Sequence, residues 1–151
     1  MTIDLPTLRR FFQSAPFMAD LGVEPVAVSD GKVSTELVLQ TKHLQHTGVV
    51  HAGVLASLAD HSMGAAAQTM APDGHWVLTA EFKVNLLRAA KRDKLVCEAW
   101  VLKPGRHIMF TEAEVYAVNA SWSSKPRARW RSPKPRPWAA CAHAVATLLP
   151  C

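Results

Sequence analysis

The chain has 151 residues, of which 49% are hydrophobic and 19% are charged, and this combination indicates one compact globular domain over residues 1–151. The formal net charge is +5, but six basic residues and no acidic one fall in residues 119–138, so the remainder is close to neutral. The charge therefore argues against a protein whose main partner is nucleic acid and confines the basic character to one segment.

The first third of the chain predicts a helix and then a hairpin. From Leu5 to Leu21, apolar residues recur mostly every three or four positions, and Asp4 before a proline is typical of a helix start. Pro16 is a point at which this helix is open to interruption. Residues 23–28 and 33–39 are short strand-like runs separated by residues of turn composition.

The middle of the chain predicts a buried helix. Residues 41–50 are polar and contain histidines, and they lead into residues 53–70, where apolar and small side chains share one helical face. Pro72 and the two residues after it end this helix. Gly64 and the three alanines that follow would let a sheet curl closely around it.

The remainder of the chain predicts four strands, at residues 76–87, 95–102, 107–118 and 143–149. The order is a helix, two strands, a buried helix and then several antiparallel strands. This order predicts an α+β fold in which an antiparallel sheet wraps around the central helix.

Neither export nor membrane insertion is indicated. The first ten residues include an aspartate and two arginines instead of the uninterrupted apolar run of a signal peptide. No stretch has the roughly 18 apolar residues of a membrane span. Cys97, Cys141 and Cys151 are odd in number and far apart, which argues against a disulfide framework or a thiolate metal site. We therefore expect a cytoplasmic protein with reduced cysteines.

The most informative stretch runs from Gln45 to Asp60 and reads Gln-His-Thr-Gly-Val-Val-His-Ala-Gly-Val-Leu-Ala-Ser-Leu-Ala-Asp. It resembles the signature of hotdog-fold thioesterases, in particular the phenylacetate-pathway and hydroxybenzoyl-CoA types. The resemblance covers about residues 11–118. It implies the hotdog fold and the hydrolysis of an acyl-CoA, with a medium-chain or aryl acyl group, to the free acid and CoA. Ala52 stands where many members have glycine, but the family uses the backbone N–H at this position.

The residues of this stretch have a consistent chemical interpretation. A helix N-terminus presents unpaired N–H groups, so the Ala52 N–H, at a start that also contains Gly53, would stabilise an oxyanion on a thioester carbonyl. Gln45 would add a donor or orient the attacking water. His51 is interpreted mainly as a hydrogen-bond donor that shapes the loop. Asp60 lies in an apolar helix, where an unpaired carboxylate is costly, and is the candidate nucleophile or general base.

Each candidate has an alternative without a catalytic role. Asp60 would then form a salt bridge or cap within its helix, and Gln45 would be an ordinary loop residue. Thr79 matches a strand position where the family often has a hydroxyl near the water, but threonine is common in strands. Three cations are candidates for the phosphates of CoA, although solvated surface is the simpler interpretation of each of them. They are Lys83, Arg88 and Arg106.

No metal or cofactor is expected. His43, His46, His51 and His61 lack the spacing of common metal motifs, and the phosphate-binding and dinucleotide-binding glycine motifs are absent. The segment 119–138 combines arginines with tryptophans, as single-strand binders do. We favour a surface loop there, or a stretch translated out of frame.

Spacing along the central helix predicts an oligomer. Ala52 and Asp60 are eight residues apart, which is about 12 Å along a helix axis, so one carbonyl cannot contact both. The site should therefore lie between subunits of a homodimer or homotetramer. Its acyl pocket depends on how Phe11, Phe12, Met18 and residues of the partner chain pack. A non-catalytic acyl-CoA-binding protein of the same fold is the alternative function.

Overall fold

The computed structural model describes residues 3–121 and 138–150. Most of the basic segment 119–138 lies outside these residues, so the predictions made for it are not tested. Three α-helices and a short 3-10 helix, Thr41–His43, precede or interrupt the strands. The α-helices are α1 (Leu5–Ser14), α2 (Pro16–Leu21) and α3 (Ala52–Gln68). The strands are β1 (Val23–Ser29), β2 (Lys32–Val38), β3 (His75–Leu86), β4 (Lys94–Lys103), β5 (Ile108–Val118) and β6 (Trp138–Pro150).

The predicted N-terminal helix is two helices. Asp4 caps the first one by accepting a hydrogen bond from Thr7 N at 2.9 Å, as expected. The break lies at Pro16, because a residue before proline avoids the helical conformation. Ala15 is accordingly extended, with φ −91° and ψ 103°. Gly22 ends α2 in the left-handed conformation, with φ 84°.

The six strands form one sheet in the order β1-β2-β4-β5-β6-β3, and every neighbouring pair is antiparallel. The sheet wraps around α3, whose residues contact β2, β3, β4, β5 and β6. Alternate side chains of β5 and β6 face this helix and are buried, and those of β6 are mostly alanines. The predicted α+β architecture, an antiparallel sheet around a central helix, is confirmed.

Small residues let the helix lie close to the sheet, but not all of those predicted to do so. Ala65, Ala66 and Ala67 are buried. A Cβ at Gly64, by contrast, would meet no atom within 4 Å in the part of the chain that the structure describes. Gly64 is therefore on the open side of α3, and the prediction that it contacts the sheet is wrong.

The helices α1 and α2 close one side of the core. Phe12 and Met18 are only 1% and 4% exposed. Both belong to the packed interior of the single chain, whereas Phe11 is partly exposed. The prediction that the packing of these residues and of a partner chain shapes an acyl pocket stays a prediction. Among the residues that the structure describes, no helix is long and apolar enough to cross a membrane.

Candidate active site

The start of α3 presents one backbone N–H group that is free to bind a ligand. His51 is the N-cap, and its Nδ1 accepts a hydrogen bond from Gly53 N at 2.9 Å. Ala52 is exposed, and its N–H has no acceptor within residues 3–121 and 138–150. The oxyanion donor predicted at Ala52 is therefore available, whereas the N–H of Gly53 is already engaged.

His51 differs from its prediction, because its side chain accepts a hydrogen bond where we expected it to donate one. Acceptance at Nδ1 leaves the proton of a neutral imidazole on Nε2. The physical reason lies in the helix: its first N–H groups have no partners inside the helix, so an N-cap side chain serves them as an acceptor. The predicted role in shaping the loop stands with the direction of the bond reversed.

Gln45 lies on the hairpin that leads into α3. A bridge pairs Leu44 with Val50, and Gln45 N donates to Val49 O at 2.8 Å. The Gln45 side chain donates from Nε2 to Thr47 Oγ1 at 2.8 Å, so it points back into its own loop. The second proton of Nε2 and the acceptor Oε1 make no other hydrogen bond within the described residues.

Asp60 and Thr79 form the contact at the centre of the candidate site. Thr79 Oγ1 donates a hydrogen bond to Asp60 Oδ1 at 2.8 Å. Asp60 Oδ2 has no partner in the described part of the chain. A β-bulge at Ala80 interrupts the register immediately after Thr79, and bulges of this kind change the direction of neighbouring side chains.

The carboxylate of Asp60 is less buried than its apolar sequence context suggests. Asp60 is partly exposed in the single subunit, in line with Ala56 and Gly64 on the open side of α3. This side carries small side chains, so water or a second molecule has access to the carboxylate. In the isolated chain, Asp60 is therefore neither fully buried nor without a hydrogen-bond partner, in contrast to the sequence-based expectation.

An aromatic stack that the sequence analysis missed lies beside Asp60. The His61 ring is nearly parallel to Phe11, at a centroid distance of 5.7 Å, and Phe11 is nearly parallel to Trp76 at 6.0 Å. The rings of Phe12 and His61 are nearly perpendicular, with their centroids 4.5 Å apart. Burial lowers the pKa of His61, against the opposing effect of the Asp60 charge. The stack joins α1 and β3 to the turn of α3 that carries Asp60.

The three cations proposed to bind CoA phosphates are exposed and do not form one cluster. Arg106 lies in the turn before Ile108. Because Ile108 and Leu78 both pair with the same residue of β6, Arg106 lies near the start of β3. Arg88 follows the other end of that strand, beyond Leu86. Eight residues of strand separate Leu78 from Leu86, or about 26 Å. A single chain cannot bring both arginines to one phosphate group.

Metal-binding residues do not gather in the part of the chain that the structure describes, where no group of three or more His, Cys, Asp or Glu side chains is placed to hold an ion. His43 has a structural role. Its Nδ1 accepts from Gln40 N at 3.0 Å, and its Nε2 lies 2.9 Å from Leu21 O.

Comparisons with known proteins identify the family. Residues 47–120 match the model of the thioesterase superfamily. The Caenorhabditis elegans protein F42H10.6, whose name assigns it provisionally to the esterases, is 36% identical over 93 residues, which are 61% of this chain and 54% of that protein. The chain thus spans about half the length of this relative. SSO1253 of Saccharolobus solfataricus, which is also named as an esterase, is 25% identical over 112 residues, which are 73% of each chain.

Solved structures agree in fold over nearly the whole chain. A thioesterase family protein from Silicibacter pomeroyi superposes with a TM-score of 0.82 and 28% identity, covering 95% of this chain and 96% of that one. The PaaI protein of Escherichia coli, from the phenylacetic acid degradation operon, superposes with a TM-score of 0.75 over 94% of this chain and 90% of its own. Its identity is 15%, so it supports the fold alone. The chain has the hotdog fold and belongs to the thioesterase superfamily.

Proposed function

We propose that the protein hydrolyses acyl-CoA thioesters, with a medium-chain or aryl acyl group, to the free acid and CoA. The observation that carries this proposal is that one helix presents two suitable groups. They are the Ala52 N–H, which has no acceptor among the described residues, and the Asp60 carboxylate, to which Thr79 donates a hydrogen bond. The first can stabilise an oxyanion, and the second can supply the nucleophile or activate water.

The proposed chemistry divides the work between two groups. Asp60 attacks the thioester carbonyl through a carboxylate oxygen or removes a proton from an attacking water. Since Thr79 occupies Oδ1, the free oxygen Oδ2 is the reacting atom. Negative charge that develops on the carbonyl oxygen is met by the Ala52 N–H at the positive end of the α3 dipole. A thiolate leaves readily, so no separate acid is required.

The geometry of α3 favours a site that two subunits share. Ala52 and Asp60 are eight residues apart on this helix, about 12 Å along its axis. A reacting carbonyl needs its carbon about 3 Å from the nucleophile and its oxygen at the donor, which one chain cannot provide. Two antiparallel copies of α3 would bring Ala52 of one subunit to Asp60 of the other.

Two surfaces support this proposed association. The open side of α3 carries Ala56, Ser57 and Gly64 next to Asp60, so another helix can approach closely. β3 is a 12-residue edge strand whose only partner among the described residues is β6. It exposes several large apolar side chains, and a long apolar edge is normally covered. We propose a homodimer as the smallest active unit, and a homotetramer would contain the same site.

A non-catalytic acyl-CoA-binding protein of the same fold is the alternative. The Thr79 hydrogen bond favours hydrolysis, because it orients a carboxylate that a purely apolar binding pocket would not need.

The proposal is tested by a hydrolysis screen over aliphatic and aryl acyl-CoAs, with detection of the free thiol. Asp60→Asn should lower kcat at least about 100-fold while the protein still binds a non-hydrolysable substrate analogue. Asp30→Asn, an exposed aspartate in the turn between β1 and β2, is the matched control and should keep wild-type turnover. Binding without hydrolysis of any acyl-CoA by the wild type would favour the alternative.

A further inference from the structure

A thiol, an imidazole and a carboxylate lie in a row on the face of the sheet opposite to α3. Cys141 and His143 alternate with buried alanines of β6, so both point away from the core. Glu112 of β5 lies directly opposite His143. Glu112 Oε1 is 2.9 Å from His143 Nδ1, and Cys141 Sγ is 3.9 Å from His143 Nε2.

This order of groups is that of a base-assisted nucleophile. The contact with Glu112 places the Nδ1 proton on the carboxylate side of the ring, so that Nε2 faces the thiol as a proton acceptor. The same order of nucleophile, imidazole and carboxylate recurs on unrelated hydrolase folds. The three side chains take no part in the site at Asp60, since Thr79 points to the helix side of the sheet.

A groove of about 220 Å³ adjoins the imidazole. His143 forms part of its wall, and its Nε2 lies 3.9 Å from the Cys141 thiol, so the imidazole links the groove to the thiol. The groove is smaller than typical sites for drug-sized ligands, and it suits a short apolar chain. Its apolar walls are formed by Phe82, Leu102, Phe110 and Val145.

The surrounding charges are mostly negative. Desolvation and the charges of Glu114 and Glu112 raise the pKa of Cys141. The thiol therefore stays protonated at neutral pH, and attack requires transfer of its proton to His143. The same charges disfavour an anionic ligand. The charged groups that face the thiol, the imidazole or the groove are Glu112 and Glu114 of β5 and Glu81 and Lys83 of β3.

We propose that Cys141 accepts an acyl group from a small, uncharged acyl thioester, with His143 as the base and Glu112 as the group that holds its ring. Cys141 Sγ bonds to the carbonyl carbon, and the bond from this carbon to the donor's sulfur breaks. The proton passes from Sγ to His143 Nε2 and then to the departing thiolate. The products are S-acyl Cys141 and a free thiol, so no oxidant or reductant is needed.

The test uses S-octanoyl-N-acetylcysteamine, which has no charge, and a full-length Asp60→Asn, Cys151→Ala parent. Hydrolysis at Asp60 cannot then remove the donor, and the result does not depend on the proposed thioesterase activity. Intact mass and peptide mapping should find one octanoyl group, on Cys141 and sensitive to hydroxylamine. Cys97 should stay unlabelled, because its burial raises the pKa of this thiol to about 12.

Variants of the base distinguish this proposal from simple thiol exposure. His143→Gln and Glu112→Gln should each slow labelling at least about tenfold, and His107→Gln, an exposed histidine elsewhere, should not. In His143→Gln, labelling should require the thiolate and rise about tenfold per pH unit below the thiol pKa. Labelling that is absent, that maps to another residue, or that keeps the parent's rate in His143→Gln would overturn the proposal.

Discussion

Thr79 Oγ1 donates a 2.8 Å hydrogen bond to Asp60 Oδ1, which ties the edge strand β3 to the middle of α3. The two residues are 19 positions apart in the sequence and meet because the sheet wraps around the helix. The bond orients the carboxylate, and Oδ2 has no partner among the described residues. This contact gives Thr79 a positioning role in the proposed reaction.

Removing that hydroxyl should slow turnover without unfolding the protein. Thr79→Val keeps the size of the side chain, and we expect kcat to fall about tenfold, the lower end for a hydrogen bond to a charged group, because the pair is exposed. Thr79→Ser retains the hydroxyl and should recover most of the activity. Steady-state kinetics on one acyl-CoA measures both. Equal kcat for Thr79→Val and wild type would rule out this role.

Gly64 provides a test of the association proposed through α3. A Cβ there would meet no atom of the described residues within 4 Å, and leucine is favoured over glycine in a helix by roughly 1 kcal/mol. Gly64→Leu should therefore fold normally but weaken dimer formation at least about tenfold, because its side chain fills the space that the partner helix needs. Sedimentation analysis over a range of concentrations measures the change.

Gln13→Leu is the matched control for Gly64→Leu. It adds the same side chain at an exposed position of α1, away from the proposed interface, and should leave the dimer unchanged. If Gly64→Leu associated as tightly as this control, the open side of α3 would not be the interface.

The elements of this fold could be predicted from the sequence because each depends on local pattern and turn chemistry. The strands and the central helix follow from periodicity, and even the break at Pro16 was visible as a proline in a helical pattern. Contacts between distant segments could not be predicted in this way. Spacing alone does not indicate which strand residue faces Asp60, or that Phe11 stacks on His61.

The errors in the candidate site have the same origin. The role of His51 depends on which N–H groups the helix start leaves unpaired, and this is set by backbone geometry. Gly64 was assigned to the sheet side from its small size, which fits an open face equally well. Residue type suggested the roles that we propose for Ala52 and Asp60, whereas the orientation of the side chains required the folded chain.

The stack beside Asp60 predicts a pH dependence of stability. Burial lowers the pKa of His61 from its ordinary value of 6.5, and Nε2 has no partner in the described residues. Just below pH 6.5, His61 binds more protons in the unfolded chain than in the folded one. The contribution of His61 to the free energy of unfolding is therefore lost as the pH falls below 6.5, and it is constant at higher pH.

His61→Phe removes this titration and retains an aromatic ring against Phe11. Compared with wild type, its free energy of unfolding should fall less steeply as the pH is lowered below about 6.5, with no difference in slope at higher pH. Chemical denaturation from about pH 5 to about pH 8 measures both curves. His107→Phe changes an exposed histidine and should follow the wild-type slope. Parallel curves for His61→Phe and wild type would contradict the prediction.

The shared site makes two inactive variants complementary. Ala52→Pro deletes the proposed oxyanion donor at a position that tolerates proline: Ala52 is the first helical residue, its N–H has no acceptor among the described residues, and His51 already has the extended ψ of 137° that a residue before proline adopts. Asp60→Asn removes the other group. Each variant alone should be nearly inactive in a correctly folded dimer.

Unfolding, mixing and refolding the two variants together should restore activity. Each heterodimer then contains one site with Ala52 and Asp60 both intact and a second site with neither. Statistical mixing makes half of the dimers heterodimers with one working site in two, so activity should approach roughly a quarter of the wild-type value if sites act independently. Differently tagged chains allow the heterodimer to be purified and assayed. A heterodimer that is verified, folded and still inactive would show that the subunits do not complete each other's sites. A shared site leaves one site of every heterodimer with both groups, whereas a site within one chain would lack one group in each subunit.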